Sequence, residues 1–242
     1  SFLEKLKQAE KYGFEGIEVW GHNLSERKEE IKKALLKSKV IVSTICAGYR
    51  GSLLSAKKEE RDTAVKDIKE LLSIGGDLGA VGLIVVPIFG PPKIPDLSPW
   101  KSAKELEENL LCELLQIIGD KAQEAGCLCL LEPLNRYETH FLNTVEDAVR
   151  IVKKVKNSGI KIMADFFHMS IEEKSIEDAI KEGEDFIYHV HLADSNRLLP
   201  GYGHTDFAKG FCALEKIGYD KYMALECKVP GPPEEELPRC VK

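Results

Sequence analysis

The stretch Cys127-Leu128-Cys129-Leu130-Leu131-Glu132 constrains this chain more than any other. An uninterrupted apolar run stopped by a carboxylate reads as a strand buried on both faces, the pattern of a parallel sheet covered by helices. An acidic group at the end of such a run is costly unless it is paired or bound to a cation. The arrangement recurs three times downstream: in residues 160–165 ending on Asp165, in 186–194 around His191, and in 222–227 with Glu226.

Upstream, residues 17–20, 40–47 and 81–87 are further strand candidates, rich in β-branched side chains. The segments between them carry helical spacing. Residues 1–11, 24–38 (Ser25 as the cap) and 57–78 are predicted helices, the last weakened at its end by Gly75-Gly76. Residues 103–125 form the clearest one, with Leu106, Leu110, Leu114, Ile118 and Ala122 as its inner stripe and Gly126 as its stop. Helices opening at Asn143 and spanning 175–181 and 206–217 complete the set. Strands alternating with helices predict a parallel sheet wrapped by helices. No glycine-rich dinucleotide fingerprint follows any strand, which argues against an open doubly wound sheet. The expectation is an α/β protein, a (β/α)8 TIM barrel spanning 1–242 as one domain. Seven strand candidates with a helix ahead of the first suggest that this chain lacks the barrel's first strand and part of its last helix, since a barrel shortened by nature would leave sheet edges open.

A formal charge of −6 with both signs interspersed argues against nucleic acid or an anionic membrane as partner. Five of the seven cysteines (Cys46, Cys112, Cys127, Cys129, Cys227) lie in apolar runs, and no CxxC pair exists. A disulfide framework or zinc knuckle is therefore disfavoured, and a reducing, cytoplasmic setting is expected. No signal peptide or membrane-spanning apolar stretch is present in these residues.

Glu132, Asp165, His191 and Glu226 each stand at the carboxyl end of one of the last four strands. Successive barrel strands bring those ends to one face, where barrel active sites lie. Alternation along each strand checks the phase: Glu132 with Leu130 and Leu128, Asp165 with Met163, His191 with His189, and Glu226 with Ala224 point one way. Three carboxylates and one imidazole favour Mn²⁺ or Mg²⁺, with Co²⁺ as a substitute, over a thiolate-bound zinc. Taken singly, each residue also reads as a helix-capping carboxylate or a hydrogen-bonded core histidine; four in phase favour the cation. His168, three beyond Asp165, should face the same mouth, as should the loop residues Glu138 and Arg197. His189 is expected to be a hydrogen-bonded core residue rather than a ligand. Trp20 and Phe89 are candidates to wall a pocket, and His22 and His140 carry no assignment.

The words Glu132-Pro133-Leu134-Asn135-Arg136-Tyr137-Glu138, Asp165-Phe166-Phe167-His168-Met169 and His191-Leu192-Ala193-Asp194-Ser195-Asn196-Arg197, with Glu226, closely resemble the sugar isomerase/epimerase superfamily of xylose-isomerase-like barrels. Within it the likeness is to the D-tagatose 3-epimerase and D-psicose 3-epimerase group, and it covers about residues 130–226. The resemblance implies one Mn²⁺ per chain held by Glu132, Asp165, His191 and Glu226. It also implies that Glu132 and Glu226 form the acid/base pair inverting C3 of a free ketose through an enediolate. Glu138, His168 and Arg197 would bind the sugar, and the subunits would pair as homodimers or homotetramers. Aldose–ketose isomerases, hydroxypyruvate isomerase and sugar-phosphate epimerases belong to the same superfamily and are the nearest alternatives. The endonuclease relatives use three zinc ions and many more histidines than the six here. A non-catalytic sugar-binding barrel is the alternative of a different kind.

Overall fold

Strands and helices alternate along the computed structural model, which describes residues 1–241. In chain order these are α1 (Phe2–Tyr12), β1 (Gly16–Trp20), α2 (Leu24–Leu35), β2 (Ile41–Cys46), α3 (Lys58–Leu78), β3 (Gly82–Val85), α4 (Ala103–Ala125) and β4 (Leu128–Leu131). Then follow α5 (Val145–Val155), β5 (Ile160–Asp165), α6 (Phe166–Glu172), α7 (Ile176–Glu182), β6 (Ile187–Leu192), α8 (Phe207–Lys216), β7 (Met223–Leu225) and α9 (Pro233–Glu236). The seven strands pair in parallel in the order β1-β2-β3-β4-β5-β6-β7. They curl into a nearly closed (β/α)8-type barrel in which β1 and β7 are the two unpaired edges among the described residues.

Two apolar layers follow from strand alternation. Cys46, Ile84, Leu130 and Met163 pack together inside the barrel, with Leu128 and Tyr188 against them. Leu83, Val85, Cys129, Leu131, Ile162, Ala164 and Val190 face outward into the larger core beneath the helices. The phase expected around Glu132 and Asp165 is the one found.

Three local readings needed correction. Ser25 does not cap α2; Asn23 occupies the cap position in a left-handed conformation and makes no side-chain capping bond. The buried face of α4 holds Ile118 and Ala122 as expected, but its first turns bury Glu107, Leu111 and Leu115 where Leu106, Leu110 and Leu114 were expected. Residues 166–172 form a helix that was not expected, opened by Asp165, whose Oδ1 accepts the Phe167 N–H at 2.7 Å. α3 ends at Leu78, as expected, with Gly75-Gly76 in its last turn. A Cβ at Gly75 would lie 2.4 Å from Cys127 Sγ, and one at Gly76 would lie 1.9 Å from the Ala125 carbonyl, so the pair lets α3 approach the α4–β4 turn.

Candidate active site

Glu132 follows β4 directly, its N–H bonded to the Val85 carbonyl at 3.1 Å, so β3 fixes where the strand delivers it. Asp165 is the last residue of β5, His191 lies near the end of β6, and Glu226 follows β7. Each offers a donor atom within 4.8 Å of the others'. His191 Nδ1 lies 3.5 Å from Glu226 Oε2, 3.8 Å from Asp165 Oδ2 and 3.9 Å from Glu132 Oε1. Capping α6 occupies Asp165 Oδ1 and leaves Oδ2 free. Asp165 Oδ2 and His191 Nδ1 are buried and have no hydrogen-bond partner. Two unpartnered buried atoms converging with two further carboxylates fit a hard divalent cation and fit poorly with a merely structural polar cluster.

The electrostatics follow from that crowding. Burial pushes the Glu132 carboxyl well above the usual range, opposed by the attraction of His191 and reinforced by repulsion from Asp165, Glu226 and Glu18. Asp165 is equally buried, yet His191 and nearby positive charge hold it below the usual range. Burial opposes a charged His191, but Glu18, Asp165 and Glu226 together raise it well above an ordinary histidine. The same crowding that raises both groups would be relieved by a bound divalent cation, which competes with protons for such donors.

Three more side chains ring the mouth. His168, buried on α6, accepts the Asn135 backbone N–H on Nδ1 at 3.1 Å. Nδ1 is thus the unprotonated nitrogen, and the Nε2–H points inward, 3.7 Å from Asp165 Oδ2 and 4.0 Å from Glu132 Oε1. Arg197 Nη2 donates to Glu226 Oε2 at 2.6 Å, and its Nη1 lies 3.7 Å from Glu138 Oε1. The guanidinium also covers the Phe167 ring at 4.5 Å. Arg197 takes a left-handed backbone (φ 60°) in a loop wound around Asp194, whose carboxylate accepts the N–H groups of Ser195, Gly201 and Thr205. All seven candidate residues thus meet at one end of the barrel. Trp20 and Phe89 are more than half exposed.

Two participants were missed from sequence. Asn135 orients His168 and donates through Nδ2 to Glu138 Oε1 at 3.1 Å. Glu18 on β1 accepts from Thr44 and lies beside both His189 and His191. A detectable signal existed for Glu18: it is a carboxylate within an apolar strand, the same anomaly that marked Glu132. His189 is a hydrogen-bonded interior residue, as expected.

A parallel barrel whose strand ends gather three acids and an imidazole defines a metal-binding barrel enzyme. The family model described as xylose isomerase-like TIM barrel matches residues 6–240, and the chain belongs to that family. It is 32% identical over 231 residues to the 3-dehydro-D-guloside 4-epimerase of Escherichia coli, covering 95% of this chain and 88% of that one. It is 29% identical over 230 residues to a D-psicose 3-epimerase of Agrobacterium fabrum, covering 93% and 78%. Among solved structures, the apo 3-keto-D-glucoside 4-epimerase from E. coli superposes with a TM-score of 0.87 at 30% identity, covering 99% of this chain and 90% of that one. A D-psicose 3-epimerase determined in the presence of D-fructose gives 0.82 at 28% identity, covering 99% and 84%. The chain is a ketose-3-epimerase-like enzyme of this superfamily.

Proposed function

We propose that the protein, as one catalytic domain, inverts the hydroxyl-bearing carbon beside the ketone of a small unphosphorylated sugar, C3 of a free 2-ketose. One Mn²⁺ per chain, replaceable by Mg²⁺ or Co²⁺, is held by Glu132, Asp165, His191 and Glu226. The observation carrying the reading is the meeting of those four donors within 4.8 Å, two of them buried and unpartnered. A divalent cation, when bound, supplies Lewis acidity to the carbonyl and neighbouring hydroxyl oxygens, making the adjacent C–H acidic. Glu132 and Glu226 come from separated strands and have unlike surroundings, one 7% exposed and the other with a side chain one-third exposed. One removes the proton and the other returns a proton to the opposite face. The His168 Nε2–H and the guanidinium of Arg197 hold sugar oxygens, with Glu138 accepting from a hydroxyl. Among the described residues no helix is long and apolar enough to cross a membrane. All seven cysteines are free, which suits a reducing cytoplasm.

The E. coli relative favours a second reading, in which the ketone is at C3 of a glycoside and C4 is inverted; the chemistry is the same, one carbon along. The test uses metal-stripped protein with Mn²⁺ returned, in deuterated water, on D-fructose, D-psicose, D-tagatose, L-ribulose and 3-keto-glycosides. Deuterium at C3 of a ketose supports the first reading and at C4 of a keto-glycoside the second. No exchange on any substrate overturns both. Glu132→Gln and Glu226→Gln should each lower turnover by about 10²–10⁴-fold.

A further inference from the structure

Glu18 is on β1, away from the four strands that supply the cation ligands. Its Oε2 accepts the Thr44 hydroxyl at 2.6 Å and lies 3.1 Å from His191 Nε2 and 3.2 Å from His189 Nε2. A carboxylate oxygen only accepts, so His191 Nε2 carries the hydrogen. The lone pair is then on Nδ1, the nitrogen that faces Glu132, Asp165 and Glu226 and has no partner of its own. Glu18, His189 and His191 could be read instead as a second cation site. Their spacing, with the Thr44 hydroxyl on the same oxygen, is that of hydrogen bonds with hydrogens between the atoms, and leaves no space for an ion.

We infer that Glu18 is a positioning residue: it fixes His191 as the Nε2–H tautomer and aims the Nδ1 lone pair into the cation site, while Thr44 and His189 hold the carboxylate in place. The backbone is built for this. Pairing between β1 and β2 shifts at Ile17/Glu18, so that Ser43 is skipped and Glu18 stands opposite Thr44. A carboxylate behind a metal-bound imidazole raises its basicity and locks its ring orientation, and losing it typically weakens metal binding 10–100-fold.

The inference rests on reading the four-residue set as a cation site, and the experiment separates the two. Stripped wild type, Glu18→Gln and Thr44→Val are titrated with Mn²⁺, read from the spin-resonance signal of free Mn²⁺. The His191 tautomer is read in the metal-free protein by long-range proton–nitrogen correlation, at a pH where the ring is neutral. Wild type should bind Mn²⁺ and show His191 as Nε2–H. Glu18→Gln should bind Mn²⁺ about 10–100-fold more weakly and lose the single tautomer, with circular dichroism unchanged. Wild type that binds no Mn²⁺ overturns the cation reading and this inference with it. Wild-type affinity in Glu18→Gln, or weakened affinity with the tautomer intact, overturns the positioning role alone. Should Glu18→Gln fail to fold, Thr44→Val decides: a loss of about 3-fold or more, within the reach of one hydrogen bond, supports the inference, and unchanged affinity overturns it.

Discussion

Replacing His140 with leucine leaves the Glu107 carboxylate buried with no partner. Glu107 is fully buried on α4; its Oε2 meets His140 Nε2 at 2.7 Å and its Oε1 meets nothing. The other ring nitrogen of His140 faces the Gly90 carbonyl at 2.8 Å, so both nitrogens face acceptors. Gly90 in turn donates its N–H to the Glu138 carbonyl at 2.7 Å. The pair therefore braces the loop after β3 against the loop that carries Glu138. Removing one partner of a buried pair costs about 3–5 kcal/mol. In a chain of 242 residues that is roughly 6–20 °C in Tm. The double variant Glu107→Leu/His140→Leu removes the stranded charge as well as its partner, and should be markedly more stable than His140→Leu alone. The single variant should also lose kcat/KM, by up to about 100-fold for a displacement near 1 Å at Glu138. The assay is a four-protein thermal and urea unfolding cycle, with sugar turnover measured alongside. If His140→Leu costs as much in the Glu107→Leu background as in the wild type, no coupling exists and the reasoning fails.

Two further outcomes follow from the loops around the site. Backbone N–H groups hold the buried Asp194 carboxyl well below the usual range despite desolvation. A depressed pKa stabilises the fold above the unfolded value of about 3.9 and stops doing so as pH falls through the folded value. Asp194→Asn should therefore lose about 2 kcal/mol at pH 7 and show a shallower fall in Tm on acidification below about pH 4 than wild type; parallel acid limbs would refute this. Asn135→Asp would set a carboxylate at the position of Nδ2, 2.8 Å from His168 Nδ1 and 3.1 Å from Glu138. That draws the ring proton to Nδ1 and withdraws the Nε2–H from the mouth. The loss of one substrate hydrogen bond, about 1–1.5 kcal/mol, should lower kcat/KM roughly 10-fold, and unchanged kinetics would refute the tautomer argument.

What the sequence disclosed is what local chemistry makes expensive. A carboxylate ending an apolar run has few stable explanations, so Glu132 and Asp165 were legible, and alternation placed Leu130 and Met163 on the interior side with them. The helix at 166–172 was not legible, because Phe166-Phe167-His168-Met169 has no amphipathic period and its start depends on Asp165 spending one oxygen as a cap. The first half of the α4 stripe was misplaced for a comparable reason. Glu107 reads as a solvent-facing residue until His140, 33 positions away, is set against it.

The deepest omission concerns register. Strict alternation treats each strand alone, and the interior of this barrel depends on two places where alternation breaks between neighbours. Pairing of β1 with β2 skips Ser43, and pairing of β5 with β6 skips Tyr188. The second irregularity sets His189 beside Met163 and His191 beside Asp165, while Tyr188 joins the interior cluster, its ring 4.7 Å from Lys161 Nζ. The first sets Glu18 beside Thr44, within reach of both histidines. A bulge adds a residue without adding any signal of its own to composition or period, and it re-aims the side chains beyond it. Had either pairing run in plain register, Glu18 and His191 would stand a residue out of step across the barrel. The imidazole at the candidate cation site would then have no carboxylate behind it.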